Sequence, residues 1–274
     1  MNSNRLPIFL FLLLLVRISS SEAKTVMQTQ GTASFAPYVN GVKKTEDLYP
    51  MYRAEFLAYV DFYRVGNLFL TGLVGNMTVI SRSDSSIFNL DKIRYTLSPG
   101  FRYELNRWLI RGSYHHESLY SLSRAEEREG AYWQNGIRLG VGSKGSYYLY
   151  LDDLYRNVDD TFLNSWDFQI NGGIFLHGSK SIWVAKNHNY RYEVFNLIRY
   201  NLCTFHKWAY FAGLNQHLWV KSDNTTENKV NLTLNFFRKG TVNFFGIYYT
   251  YTMYDSYTEN NENKLGVLGF RIIF

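Results

Sequence analysis

The stretch Ile93-Arg94-Tyr95-Thr96-Leu97-Ser98-Pro99-Gly100-Phe101-Arg102-Tyr103-Glu104-Leu105 alternates apolar and polar side chains with a period of two. Ile93, Tyr95, Leu97, Phe101, Tyr103 and Leu105 share one row, with Pro99 among them. Arg94, Thr96, Ser98, Gly100, Arg102 and Glu104 share the other. Successive side chains of a β-strand point to opposite faces, so the stretch is a strand with one apolar and one polar side. In a soluble sandwich the apolar row would face a core. In a membrane barrel it faces lipid, and the polar row lines the lumen.

Segments of similar length repeat the pattern. Ala54, Phe56, Ala58, Val60 and Phe62 alternate with Arg53, Glu55, Tyr59, Asp61 and Tyr63. Trp166, Phe168, Ile170, Ile174 and Leu176 alternate with Asp167, Gln169, Asn171 and Gly173, and Val230, Leu232, Leu234 and Phe236 with Asn231, Thr233 and Asn235. Tyr192–Cys203 and Val242–Tyr251 carry apolar residues on both rows, which weakens their register.

Short and long connections alternate. Tight turns are expected at Gly66-Asn67, Asn106-Arg107, Lys144-Gly145, Gly178-Ser179-Lys180, Phe205-His206-Lys207 and Lys239-Gly240. Longer polar loops are expected near 36–50, 81–92, 119–130, 156–165, 221–228 and 253–263. This alternation, with the tight turns on one side, is that of an outer-membrane barrel. The expected fold is therefore all-β: a transmembrane antiparallel up-and-down barrel of about 14 strands. The number falls to 12 if Lys24–Phe35 or the poorly patterned region does not pair.

The remaining composition fits export to a membrane. Arg5 followed by the apolar run Leu6–Val16 and by Ser21-Glu22-Ala23 has the form of a signal peptide. Residues 1–23 are expected to be cleaved, leaving 24–274 as one barrel domain. Loss of Arg5, Arg17 and Glu22 lowers the formal charge from +6 to +5. No block of Lys and Arg marks a nucleic-acid partner. Cys203 is the single cysteine, so no internal disulfide can brace the fold. Aromatics make up 18% of the 274 residues, and mean hydropathy is −0.25, as suits strands that show lipid only half their side chains. Trp133, Trp166, Trp183, Trp208 and Trp219 are expected at the membrane interfaces. No phosphate loop, metal spacing or nucleotide fingerprint is present, and no cofactor is expected. Three glycosylation-type triplets, at Asn76, Asn224 and Asn231, include two inside expected strands, where a glycan is awkward.

Leu268, Phe270, Ile272 and Phe274 alternate up to a terminal aromatic. This resembles the C-terminal assembly signal of bacterial outer-membrane β-barrel proteins. The resemblance implies a Gram-negative-type outer membrane, with its lipids and the barrel-assembly machinery as partners.

Two constellations carry possible chemistry. His116 and Ser118 share the lipid-facing row of one expected strand, and Asn135 lies on the apolar row of the next. This arrangement resembles the outer-membrane phospholipase A family. The resemblance implies His116 as general base, Ser118 as nucleophile and Asn135 as the holder of the imidazole. Leu119-Tyr120 after the serine and Gly130–Gln134 before the asparagine depart from that family's pattern. The alternative is a polar rim meeting headgroups and water. The second constellation is the polar row itself: Arg53, Glu55, Asp61, Arg94, Arg102, Glu104, Arg111, His115, Glu117 and Arg138, with Asp152, are expected to project into the lumen. Mixed charges there either line a pore for small solutes or brace the lumen as ion pairs. Three functions therefore stand open: a pore or structural surface barrel, a lipid-facing hydrolase, and a receptor or adhesin acting through its loops.

Overall fold

The computed structural model describes residues 23–40, 49–82, 89–121, 131–143, 166–177, 190–206, 208–239, 244–256 and 264–273. Among these are twelve strands: β1 (Ala23–Asn40), β2 (Tyr49–Val65), β3 (Leu68–Arg82), β4 (Asn89–Leu105), β5 (Trp108–Ser121), β6 (Ala131–Ser143), β7 (Trp166–His177), β8 (Tyr190–Phe205), β9 (Trp208–Lys221), β10 (Thr226–Lys239), β11 (Phe244–Asp255) and β12 (Gly266–Ile273). Each pairs antiparallel with its neighbours in sequence, and β1 pairs with β12 to close the ring. At that seam Phe35 lies opposite Phe270 and Tyr38 opposite Val267. Closure leaves no unpaired edge, which a spanning sheet requires because lipid cannot satisfy backbone groups.

Twelve is the lower of the two expected strand numbers. The Lys24–Phe35 stretch does pair, with both β2 and β12. Among the described strands β6 pairs directly with β7, and β7 with β8. The expected turns at Lys144-Gly145 and Gly178-Ser179-Lys180, the loop at 156–165, residues 1–22, Asp152, Trp183 and Phe274 lie outside the described residues.

Tight turns join β2 to β3, β4 to β5 and β8 to β9, and Gly66 adopts φ 57°, a left-handed conformation that a Cβ would strain. This end of the barrel is called inner below. At the other end the strands run further than sequence indicates: the expected loop at 36–50 is shortened because β1 continues to Asn40 and β2 begins at Tyr49. β2 has 17 residues, more than the roughly 9–11 that a spanning strand needs. Backbone pairing does not depend on apolar side chains, so polar residues prolong these strands beyond the apolar band.

The two rows separate as the alternation dictates. Leu139 (59% exposed), Ile174 (56%) and Leu97 (49%) face outward. Gln169, Asn171, Thr233, Asn235, Thr250 and Thr252 are buried inside. One expected inward residue departs: Tyr63 is exposed, because a bulge between Asp61 and Tyr63 shifts its phase.

Candidate functional sites in the lumen and on the outer wall

The inner half of the lumen is narrowed by side chains. Phe69, Leu73, Leu109, Phe211, Phe237 and Tyr248 are buried there, and a charged layer packs among them. The Arg102 guanidinium donates to both Asp61 oxygens, at 2.8 and 3.3 Å, and to the Tyr59 hydroxyl at 3.2 Å. It also pairs with Glu104 at 2.9 Å and lies 4.0 Å from the centre of the Phe69 ring. Arg102 and Asp61 are each 1% exposed. A second pair, Arg199 with Asp167 at 2.7 Å, is held by the Ser143 hydroxyl, which donates to Asp167.

Above this layer the lumen opens into a cavity of about 210 Å³. Arg53, Glu55, Arg94, His115, Glu117 and Arg138 line it, while Asp61, Arg102, Arg111 and Glu104 lie inward around or below it. All ten expected lumen residues thus face inward. Pairs across strands knit the walls together: Arg138 binds both Glu193 oxygens, and His217 Nε2 lies 2.8 Å from Glu193 Oε2. His115 Nδ1 is 2.8 Å from the Ser98 hydroxyl.

Glu193, His217, Trp219, Arg199 and Asn215 belong to this lumen too, and no motif in the sequence marks Glu193, His217, Arg199 or Asn215. Glu193 and Arg199 sit on β8, where apolar residues on both rows obscured the alternation. Trp219, expected at the membrane interface, is instead buried at 6% exposure and stacked on His217, 3.7 Å between ring centres. Trp166, at 61%, does face outward, and Trp108 is exposed on the outer wall as well, at 48%.

On the outer wall β5 and β6 pair so that His116 lies opposite Asn135 and Ser118 opposite Trp133. His116 sits on the row of exposed Tyr114 and Tyr120. Its Nδ1 is 2.8 Å from Asn135 Oδ1, and the Tyr114 hydroxyl donates to the same oxygen at 2.6 Å. A carbonyl oxygen only accepts, so Nδ1 carries the proton and Nε2 is left as the basic nitrogen. Ser118 is 8% exposed, and no hydrogen bond joins it to His116. Among the described residues, no group of three or more His, Cys, Asp or Glu side chains is arranged to hold a metal ion.

A closed antiparallel ring, apolar outside and polar inside, defines a transmembrane β-barrel of the bacterial outer-membrane type. No protein-family model matches the chain, and no curated protein matches it either. Among solved structures it is similar to the outer membrane phospholipase dimer of Salmonella typhi with bound calcium, with a TM-score of 0.51 and 8% identity, covering 92% of each chain. The outer membrane phospholipase A of Escherichia coli gives a TM-score of 0.49 and 9% identity, covering 92% of this chain and 91% of that one. The KdgM porin gives 0.43 and 9%, covering 89% and 98%. At such identities the likeness is one of fold.

Proposed function

We propose that this chain is an integral outer-membrane barrel of channel type, which admits small polar solutes into its lumen. The observation that carries this reading is the charged, hydrogen-bonding cavity that sits inside the barrel above the Arg102–Asp61 layer. An aqueous, polar lumen within an apolar wall is the arrangement by which barrels move solutes. The inner layer narrows the path, so conduction depends on its side chains. Planar-bilayer recording tests this. The wild-type chain should give small, stable conductance steps, and Arg102→Ala should enlarge them several-fold. Silent bilayers with both proteins would remove the channel reading and leave a structural surface barrel.

A second reading, a lipid-facing hydrolase, is favoured by one specific contact, the hydrogen bond between His116 and Asn135. In that reading Asn135 fixes the imidazole, Nε2 takes the proton of Ser118, and the serine Oγ attacks a lipid ester carbonyl. The C–O bond to glycerol breaks, the lysolipid leaves with that proton on its oxygen, and water then releases the fatty acid from serine. The Ser118 hydroxyl must rotate toward His116 for this to occur. Phospholipid turnover by refolded protein, abolished by Ser118→Ala, would support it, and absence of turnover would rule it out.

A further inference from the structure

We propose that the lumenal cavity is a binding site for a neutral, polyhydroxylated ligand, of the size of a single sugar ring; this rests on the reading of the lumen as the solute-accessible compartment. Three carboxamides on three strands are oriented in the same chemical sense. Gln134 of β6 donates its Nε2 hydrogen to Glu117 at 3.5 Å. Asn171 of β7 donates its Nδ2 hydrogen to the Phe195 carbonyl at 3.1 Å. Asn231 of β10 donates to Asn215 Oδ1 at 3.0 Å. In each case the N–H group is tied to the wall, and the carbonyl oxygen is buried with no hydrogen-bond partner among the described residues. Thr32 Oγ1 of β1 is in the same condition. All four residues line the cavity.

Carbonyl oxygens call for donors, and the charges around them decide which donors. The cavity walls carry Arg53, Arg94, Arg138, Lys229 and Arg271 against Glu55, Glu117 and Glu193. This positive excess disfavours an ammonium or a metal cation. A carboxylate or phosphate ligand would bring no donors to the carbonyls. It would also compete for cations already paired, as Arg53 is with Glu55 at 3.2 Å and Lys229 with Asp255 at 3.3 Å. Uncharged hydroxyl groups satisfy the carbonyls without disturbing those pairs. An aromatic wall completes the site: Phe195 packs edge-on to His217 at 5.4 Å, and His217 stacks on Trp219. Such a surface suits the C–H face of a sugar, while the amides take its hydroxyls. At about 210 Å³ the cavity falls below the roughly 300–1,000 Å³ typical of sites for drug-sized ligands, which suits a ligand of about one ring.

Isothermal titration of the full refolded barrel with glucose, maltose, glucuronate and glucosamine tests the assignment. Glucose should bind saturably and at least fivefold more tightly than the acidic sugar, the cationic sugar or the two-ring maltose. Combined Gln134→Leu and Asn231→Leu should weaken that binding at least fivefold, with folding checked by strand circular dichroism and heat-modifiable migration. Should that pair fail to fold, Thr32→Val, nearly isosteric, should still weaken binding about twofold. Glucuronate, glucosamine or maltose binding as tightly as glucose, no saturable binding of any neutral sugar, or unchanged binding by folded variants would each overturn it. Saturable binding without bilayer conductance would sink the channel and leave the sugar site standing.

Discussion

His116 and Asn135 face each other across the β5–β6 pair on the outer wall, 2.8 Å apart from Nδ1 to Oδ1, and the Tyr114 hydroxyl bonds the same oxygen. Two donors on one oxygen fix which way the Asn135 amide points, and with it the tautomer of the imidazole. If the barrel hydrolyses lipid, Asn135→Ala should lower kcat by ten- to a hundredfold and Tyr114→Phe by a smaller factor. Neither should greatly alter KM. The structural cost of Tyr114→Phe is that of one exposed hydrogen bond, about 1 kcal/mol or less. Vesicle-based lipase assays on variants of verified fold separate the two effects.

The Arg102–Asp61 pair is buried and bidentate, so removing one partner strands a charge. Arg102→Ala should destabilise the barrel by about 3–5 kcal/mol, read from the shift of its guanidinium unfolding curve. Exchanging both residues for apolar ones of similar volume, as in Arg102→Met with Asp61→Leu, should recover most of that loss. A single substitution that left stability unchanged would show that the layer is hydrated rather than packed.

Leu139 is, at 59%, the most exposed of the described apolar side chains on β6, between Ile137 and Val141 on the same outward row. If the outer face meets lipid, Leu139→Arg should cost about 2–4 kcal/mol on refolding into bilayers. A soluble protein with the same exposed leucine would tolerate the change within about 0.5 kcal/mol, so the measurement tests the membrane assignment directly.

Gly246 of β11 is held against its neighbour strand. A Cβ there would lie 2.1 Å from the Phe236 carbonyl oxygen and 2.7 Å from Phe237 Cα, both backbone atoms. Gly246→Ala should therefore cost about 1–3 kcal/mol through forced strand displacement, and Gly246→Val more. Refolding yield and the urea midpoint would register it.

In the turn between β9 and β10, the Asp223 carboxylate accepts hydrogen bonds from the Thr225 hydroxyl at 2.6 Å and its backbone N–H at 2.9 Å. The hydroxyl bond, more than any other contact, holds the Asp223 pKa below its ordinary value. A lowered carboxylate pKa means that order in the turn is present at neutral pH and is lost only as pH falls through the lowered value. Carboxyl NMR titration should find the Asp223 midpoint below that of a free aspartate, and Thr225→Ala should raise it.

Period-two alternation was legible in single strands, and it placed Arg102, His115 and Glu117 inward and Leu139 outward before any pairing was known. It failed where a bulge changes phase, at Tyr63, and where both rows are apolar, along β8, which hid Glu193 and Arg199. It also placed Trp219 at a membrane interface, because an aromatic near a strand end looks alike on either face. The His116, Ser118 and Asn135 set was visible because residues two apart share a face and a neighbouring strand can supply the third.

By itself the sequence determined the class of wall: strands with one oily and one wet side, in a chain whose last strand ends on alternating apolar residues. Alternation is a local property, written within each strand. The strand number, the closure of β1 on β12, and the meetings of Arg102 with Asp61 and of Arg138 with Glu193 were decided by the tertiary structure alone. Those partners lie 41 and 55 residues apart, and only the register of several intervening hydrogen-bonded strands brings them together.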